Sequence, residues 1–166
     1  MRRIAIVGIS GAGKSTYARA LHELTGLPVR HMDRLFWQGK WEAVREADYV
    51  AAHRSLVSDE TWIIEGYIDP ALADRARAAD LIVYLDFSGL RCAWRVLVRW
   101  LRHRRRARPE LPPEAVERIS LSFLWIVLTR AERRAIEASL RNTEPAKVLR
   151  VRSTRQLAQV TEVITR

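Results

Sequence analysis

The chain is short of cysteine, of asparagine and, over one long stretch, of acid, and each shortage narrows what it can be. Its single cysteine, Cys92, allows no internal disulfide, which fits a reducing compartment and makes a cytoplasmic location the expectation. The longest apolar-leaning run, Ile119 to Leu128, is about half of what a bilayer span needs, so it reads as a buried helix face and not an anchor. A secretion signal is not expected either, because the apolar residues after Arg2 and Arg3 are soon broken by Gly8, Ser10 and Lys14. No repeat and no low-complexity linker appears. What remains is a chain of 166 residues, 48% hydrophobic, of the size of one domain with a real core.

The missing acid leaves a charge. Arg91, Arg95, Arg99, Arg102, Arg104, Arg105, Arg106 and Arg108 fall in one segment without a single aspartate or glutamate, so it carries +8 of the net +10. Such a concentration points to an anionic partner, either phosphate on a small molecule or a nucleic-acid backbone.

Strand and helix signals alternate along the chain. Arg3 to Val7, Pro28 to Met32, Trp62 to Glu65, Leu81 to Leu85 and Val148 to Val151 are short apolar runs ended by turns, and are expected as strands. Between them, helical spacing is expected from Ser15 to Leu24 (Tyr17, Ala18, Leu21 and Leu24 inward) and from Glu42 to Val57, with Val44, Ala47, Val50 and Ala51 on one side. Asp69-Pro70 has the form of an N-cap with proline at the first helical position, and Ser88 is placed to cap a long helix through Arg106. Pro109, Pro112 and Pro113 interrupt the chain, and a helix or helix pair fills Glu114 to Leu140. Ser153 and Gln156 have capping-box spacing before a last helix that turns Leu157, Val160 and Val163 inward. This order predicts a parallel sheet covered by helices on both faces, an α/β fold.

Directly after the first strand stands Gly8-Ile9-Ser10-Gly11-Ala12-Gly13-Lys14-Ser15-Thr16, the spacing of a phosphate-binding P-loop. The glycines let successive N–H groups point into one concavity. Lys14 supplies a cation to the β and γ phosphates, Ser15 a hydroxyl to Mg²⁺, and the following helix its positive end. ATP and Mg²⁺ are therefore the expected cofactors, held by Gly8, Ser10, Gly11, Ala12, Gly13, Lys14, Ser15 and Thr16.

The scarcity of asparagine now matters. Reading guanine as GTPases do requires Asn-Lys-x-Asp, and the only asparagine, Asn142, is followed by Thr143. Asp86 to Gly89 spells Asp-x-x-Gly but follows the fourth strand and reads as coincidence. Small phosphotransferases of the nucleoside-monophosphate-kinase type remain. They need an acceptor pocket, a carboxylate near the metal or acceptor, and cations closing over the triphosphate. Asp33 and Glu65 end the second and third strands, at the sheet edge where open α/β folds bind ligands, and Gly66 leaves room beside them. Arg91, Arg95, Arg99 and Arg102 share one helical face, with Trp94, Leu97, Val98, Trp100 and Leu101 expected to pack on the body behind them. Arg95 and Arg99 are the expected lid cations; Arg104 to Arg108 belong to its tip or to solvent.

With GISGAGKST, the segment His31-Met32-Asp33-Arg34-Leu35-Phe36-Trp37 with Trp41, the segment Trp62-Ile63-Ile64-Glu65-Gly66-Tyr67, and the strand Leu81–Asp86 leading into an arginine helix, the sequence resembles the P-loop kinase-like DNA topology modulation proteins, relatives of adenylate and shikimate kinases. The resemblance continues through Val148–Ser153 and covers nearly the whole chain. It implies a single three-layer P-loop NTPase domain over residues 1–166 with a five-stranded parallel sheet, an acceptor-binding region at 34–60 and an arginine-rich lid at about 91–113. It also implies that Asp33 contacts the acceptor and that Glu65 takes part in the Mg²⁺ site with Ser15, through water.

On this reading Lys14, Asp33, Arg95 and Arg99 are the catalytic candidates, and Asp33, Trp37, Gly66 and Tyr67 the acceptor contacts. Asp33 takes a proton if the acceptor is an alcohol and only positions if it is a phosphate. Trp37 and Trp41 either stack on an aromatic acceptor or cover the core. Arg75 is a further acceptor candidate, Arg152 and Ser153 mark the adenine region, and His31 is expected beside its strand rather than in the chemistry. The acceptor is a small molecule or nucleotide. A nucleic-acid-binding regulator and an ATPase without acceptor stay open as alternatives, and no membrane partner is expected.

Overall fold

A computed structural model of the chain describes residues 1–39, 41–66, 71–103 and 119–165. Tyr67, the Asp69-Pro70 cap, the arginines from Arg104 to Arg108 and the three prolines that follow lie outside the described residues, as does the lid beyond His103.

Five strands form one parallel sheet: β1 (Arg3–Gly8), β2 (Val29–His31), β5 (Trp62–Glu65), β6 (Leu81–Leu85) and β7 (Val148–Val151), in the order β2-β5-β1-β6-β7. The inner strands β5, β1 and β6 are apolar on both faces because both faces are covered, while the edge strands β2 and β7 are only partly buried and carry Arg30 and Arg150. Helix α1 (Lys14–Thr25) packs on β1, β2, β5 and α8 (Thr154–Thr165), while α4 (Leu72–Ala78) packs on β1 with α3 (Glu46–Ser58) and α7 (Arg133–Leu140). The result is three layers. Ile4, Ile6, Trp62, Ile63, Ile64, Ile82 and Val83 make the buried centre.

The chain leaves β1 for the sheet edge, returns through β5, and crosses to β6 on the other side. The carboxyl end of β1 is thus the switch point, where crossovers diverge and leave a crevice. The phosphate-loop sequence begins at that end.

Several expected boundaries and faces shift. The second strand stops at His31, and Met32–Phe36 forms a short helix α2, so Asp33 sits in its first turn. Trp37–Gln38 (β3) and Glu42–Ala43 (β4) pair as a hairpin, which delays α3 to Glu46. Tyr49 and His53, rather than Ala47 and Ala51, form the buried side of α3. Leu24 is exposed at the end of α1, and Ile164 takes the inward place expected of Val163.

The largest correction concerns α5 (Gly89–His103) and α6 (Leu121–Thr129). Cys92 and Val96 face the body, while Trp94 and Leu101 stand 66% and 51% exposed instead of packing behind the arginines. Only Val127 of α6 is buried; Leu121 and Trp125 are open, so the expected buried helix face is largely a surface. The two helices pack on each other and leave an apolar groove between Trp94, Leu97, Leu124 and Trp125.

Candidate active site

A cavity of about 1150 Å³ opens at the carboxyl end of β1. It is walled by the segment Ser10–Thr16, by Asp33, Trp37 and Trp41, by Glu65 and Gly66, and by α5 through Arg95 and Arg99. Residues scattered over ninety positions of sequence thus face one space.

The loop turns tightly, with the Ala12 N–H donating to Ile9 O at 3.1 Å. Gly11 has φ +78°, and a Cβ there would run into the Cys92 carbonyl and Val96. Glycine is therefore required twice over, by backbone conformation and by the closeness of α5. Lys14 folds over the rim, donating to Gly8 O at 2.9 Å and Ile9 O at 3.2 Å. Arg95 reaches the same loop from the other side, donating to Ala12 O at 2.9 Å, and with Arg91 it lies over the Phe87 ring. Burial first, and the neighbouring Arg91 charge second, pull the Arg95 guanidinium below its ordinary value.

Opposite the loop, Glu65 is 2% exposed and accepts from His31 Nδ1 at 2.5 Å. Burial pushes its carboxyl up. The His31 hydrogen bond, the Lys14 ammonium and the Ser15 hydroxyl outweigh that and hold it below the usual carboxylate range. Ser15 and Glu65 thereby offer a hydroxyl and a carboxylate side by side, hard oxygen donors of the kind Mg²⁺ takes together with phosphate oxygens. Among the described residues no cluster of three or more metal-binding side chains forms.

Asp33 stands beside Gly66. A Cβ on Gly66, which has φ +117°, would lie 3.2 Å from both the Asp33 amide nitrogen and its Oδ1. The glycine keeps that corner open. Trp37 and Trp41 meet edge to face at 5.4 Å on the hairpin, and both line the cavity. Arg75 does not join the site: it is 1% exposed in α4, away from the cavity.

Three features have no local signal in sequence. His31 is paired with Glu65, across 34 positions. Glu132 accepts from the Ser10 N–H at 2.6 Å and from its hydroxyl at 2.9 Å, across 122 positions. Asp86, 8% exposed, is ringed by Arg130, Arg133, Arg150 and Arg152, all more than forty positions away.

The fold is that of the P-loop kinases. Shikimate kinase from Acinetobacter baumannii, solved with shikimate, superposes with a TM-score of 0.61 over 99% of this chain and 91% of that one, at 16% identity. The YorR protein of Bacillus subtilis, solved with phosphorylated GDP, gives 0.59 over 97% and 94%, at 14% identity. Deoxyadenosine kinase from M. mycoides with bound dATP gives 0.58 over 99% and 100%, at 13% identity. No family model and no curated protein matches the sequence.

Proposed function

We propose that the chain is a kinase-like phosphotransferase that moves the γ-phosphoryl group of ATP·Mg²⁺ to a small-molecule or nucleotide acceptor. The observation that carries this is the single cavity shared by the phosphate loop, two carboxylates and the α5 arginines. The triphosphate lies on Gly8–Thr16, with Lys14 swinging from the loop carbonyls to the phosphates. Ser15 and, through water, Glu65 would hold Mg²⁺, which would supply positive charge to the phosphate oxygens. Asp33, Trp37 and Gly66 hold the acceptor. Asp33 accepts its proton if it is an alcohol. Arg95 and Arg99 stabilise charge on the group in transit. Region 34–60 serves the acceptor, and the part of the lid from residue 91 to 103 serves the phosphates.

The inward turn of Arg95 favours this reading over a nucleic-acid-binding regulator, since that arginine is committed to the loop. ADP formation measured with a panel of nucleotides, sugars and other alcohols is the test. At least one class should accelerate it, and Asp33→Ala should abolish the acceleration. If no compound does so and Asp33→Ala leaves basal turnover unchanged, the kinase reading falls and a plain ATPase stands.

A further inference from the structure

We propose that Glu132 is a specificity-determining residue of the nucleotide site, an internal anion that holds the place of a terminal phosphate and sets the balance between tri- and diphosphate binding. The inference rests on the phosphate-loop reading above.

A phosphate loop collects anions because its N–H groups converge and helix α1 adds its positive end. In this chain one of those anions is already present. Both Glu132 oxygens are engaged by Ser10, one by the backbone N–H at 2.6 Å and one by the hydroxyl at 2.9 Å. This is a bidentate, charge-assisted pair, the same bonding a phosphate oxygen pair would make. The carboxylate is not serving its own helix. Glu132 stands at the N-terminal cap of α7, where acidic side chains commonly accept from the first turn, and it makes no such bond.

The position matters as much as the bond. The peptide whose nitrogen Glu132 holds is Ile9–Ser10, and the carbonyl of that same peptide accepts from Lys14 Nζ. Lys14 is the cation for the β and γ phosphates. Ser10 precedes the start of α1 by four residues, so Glu132 is bonded to the loop away from its α1 end, and it faces the cavity. A diphosphate leaves it in place. A triphosphate brings a second anion to the same donors, and one of the two must leave.

The segment is built so that this leg alone lets go. Two residues earlier Arg130 is tied to Asp86 at the end of β6, and Ile136 of α7 is fully buried. Release of Glu132 frees the α6–α7 corner from the loop without unseating either helix.

The test is calorimetric titration of wild type, Glu132→Gln and Glu132→Ala with ADP and with a non-hydrolysable ATP analogue, each with Mg²⁺. Removing the charge should tighten the analogue about tenfold, the scale of one charge-assisted hydrogen bond, while ADP moves less than about twofold. Glu132→Gln keeps the shape of the side chain and should shift in the same direction, with thermal melting verifying that each variant is folded. An unchanged ratio of the two affinities overturns the inference, and so does an equal loss for both nucleotides, which would make Glu132 a brace for the loop. Absence of any nucleotide binding to wild type would instead overturn the phosphate-loop reading, and this inference with it.

Discussion

Glu65 keeps its charge where water has been removed, and the result is a stability term with a definite sign. Its folded pKa lies below the ordinary 4.5, because the His31 bond, Lys14 and Ser15 together outweigh desolvation. The stabilisation is therefore complete above about pH 4.5 and fades as pH falls through the depressed value. Glu65→Gln should melt below wild type at neutral pH, and the gap should close under acid; a gap independent of pH would mean the pair is not ionic. Lys14→Ala should weaken the triphosphate about 10- to 100-fold by titration, since it removes a charged hydrogen-bonding partner of the phosphates. Asp33→Asn should lower acceptor-dependent turnover about 100-fold or more while ATP affinity stays put, if the acceptor is an alcohol and Asp33 its base. These residues could be singled out in the sequence because their spacing or place after a strand run is local, and the structure brings them to one cavity. Glu132 and His31 were not legible, since nothing near either one in sequence marks Ser10 or Glu65 as its partner.

At the scale of elements, the strands were legible and the helix faces less so. β5, β6 and β7 appear with the boundaries their apolar runs predict, and β5 and β6, buried on both sides, leave no face to choose. Helix α5 shows the opposite case. Its periodicity separates arginines from aromatic and aliphatic residues, yet periodicity does not say which stripe meets the body. Gly11 decides that. It admits the α5 backbone at Cys92 and Val96, between the two stripes, so Arg95 turns to the loop and Trp94 turns out toward α6. The hairpin at Trp37–Ala43 was missed for a related reason: two-residue strands are too short to carry alternation. Two tryptophans test the assignment by urea unfolding. Trp62→Ala, from a fully buried site in β5, should cost about 3–5 kcal/mol. Trp94→Ala, from a site 66% exposed, should cost about 0.5 kcal/mol. Equal costs would return Trp94 to the core.

For the molecule as a whole, the parallel topology could be read from the alternation of elements, and it places the loop at the switch point. No described helix is long and apolar enough to cross a membrane. Binding at that point should stabilise the whole fold: an ATP analogue at a hundred times its Kd should add about 2.7 kcal/mol to unfolding, and Lys14→Ala should lose most of the gain. The chain's one thiol bears on how such events can be watched. Cys92 is fully buried under the loop, and burial holds its pKa up against the pull of Arg95 and Lys14. Thiolate is thus scarce and shielded, and maleimides should pass it by. A cysteine placed on the outer side of α6 or α7 would then take up a fluorophore alone, and the native protein becomes its own background-free scaffold for following the corner that Glu132 ties down.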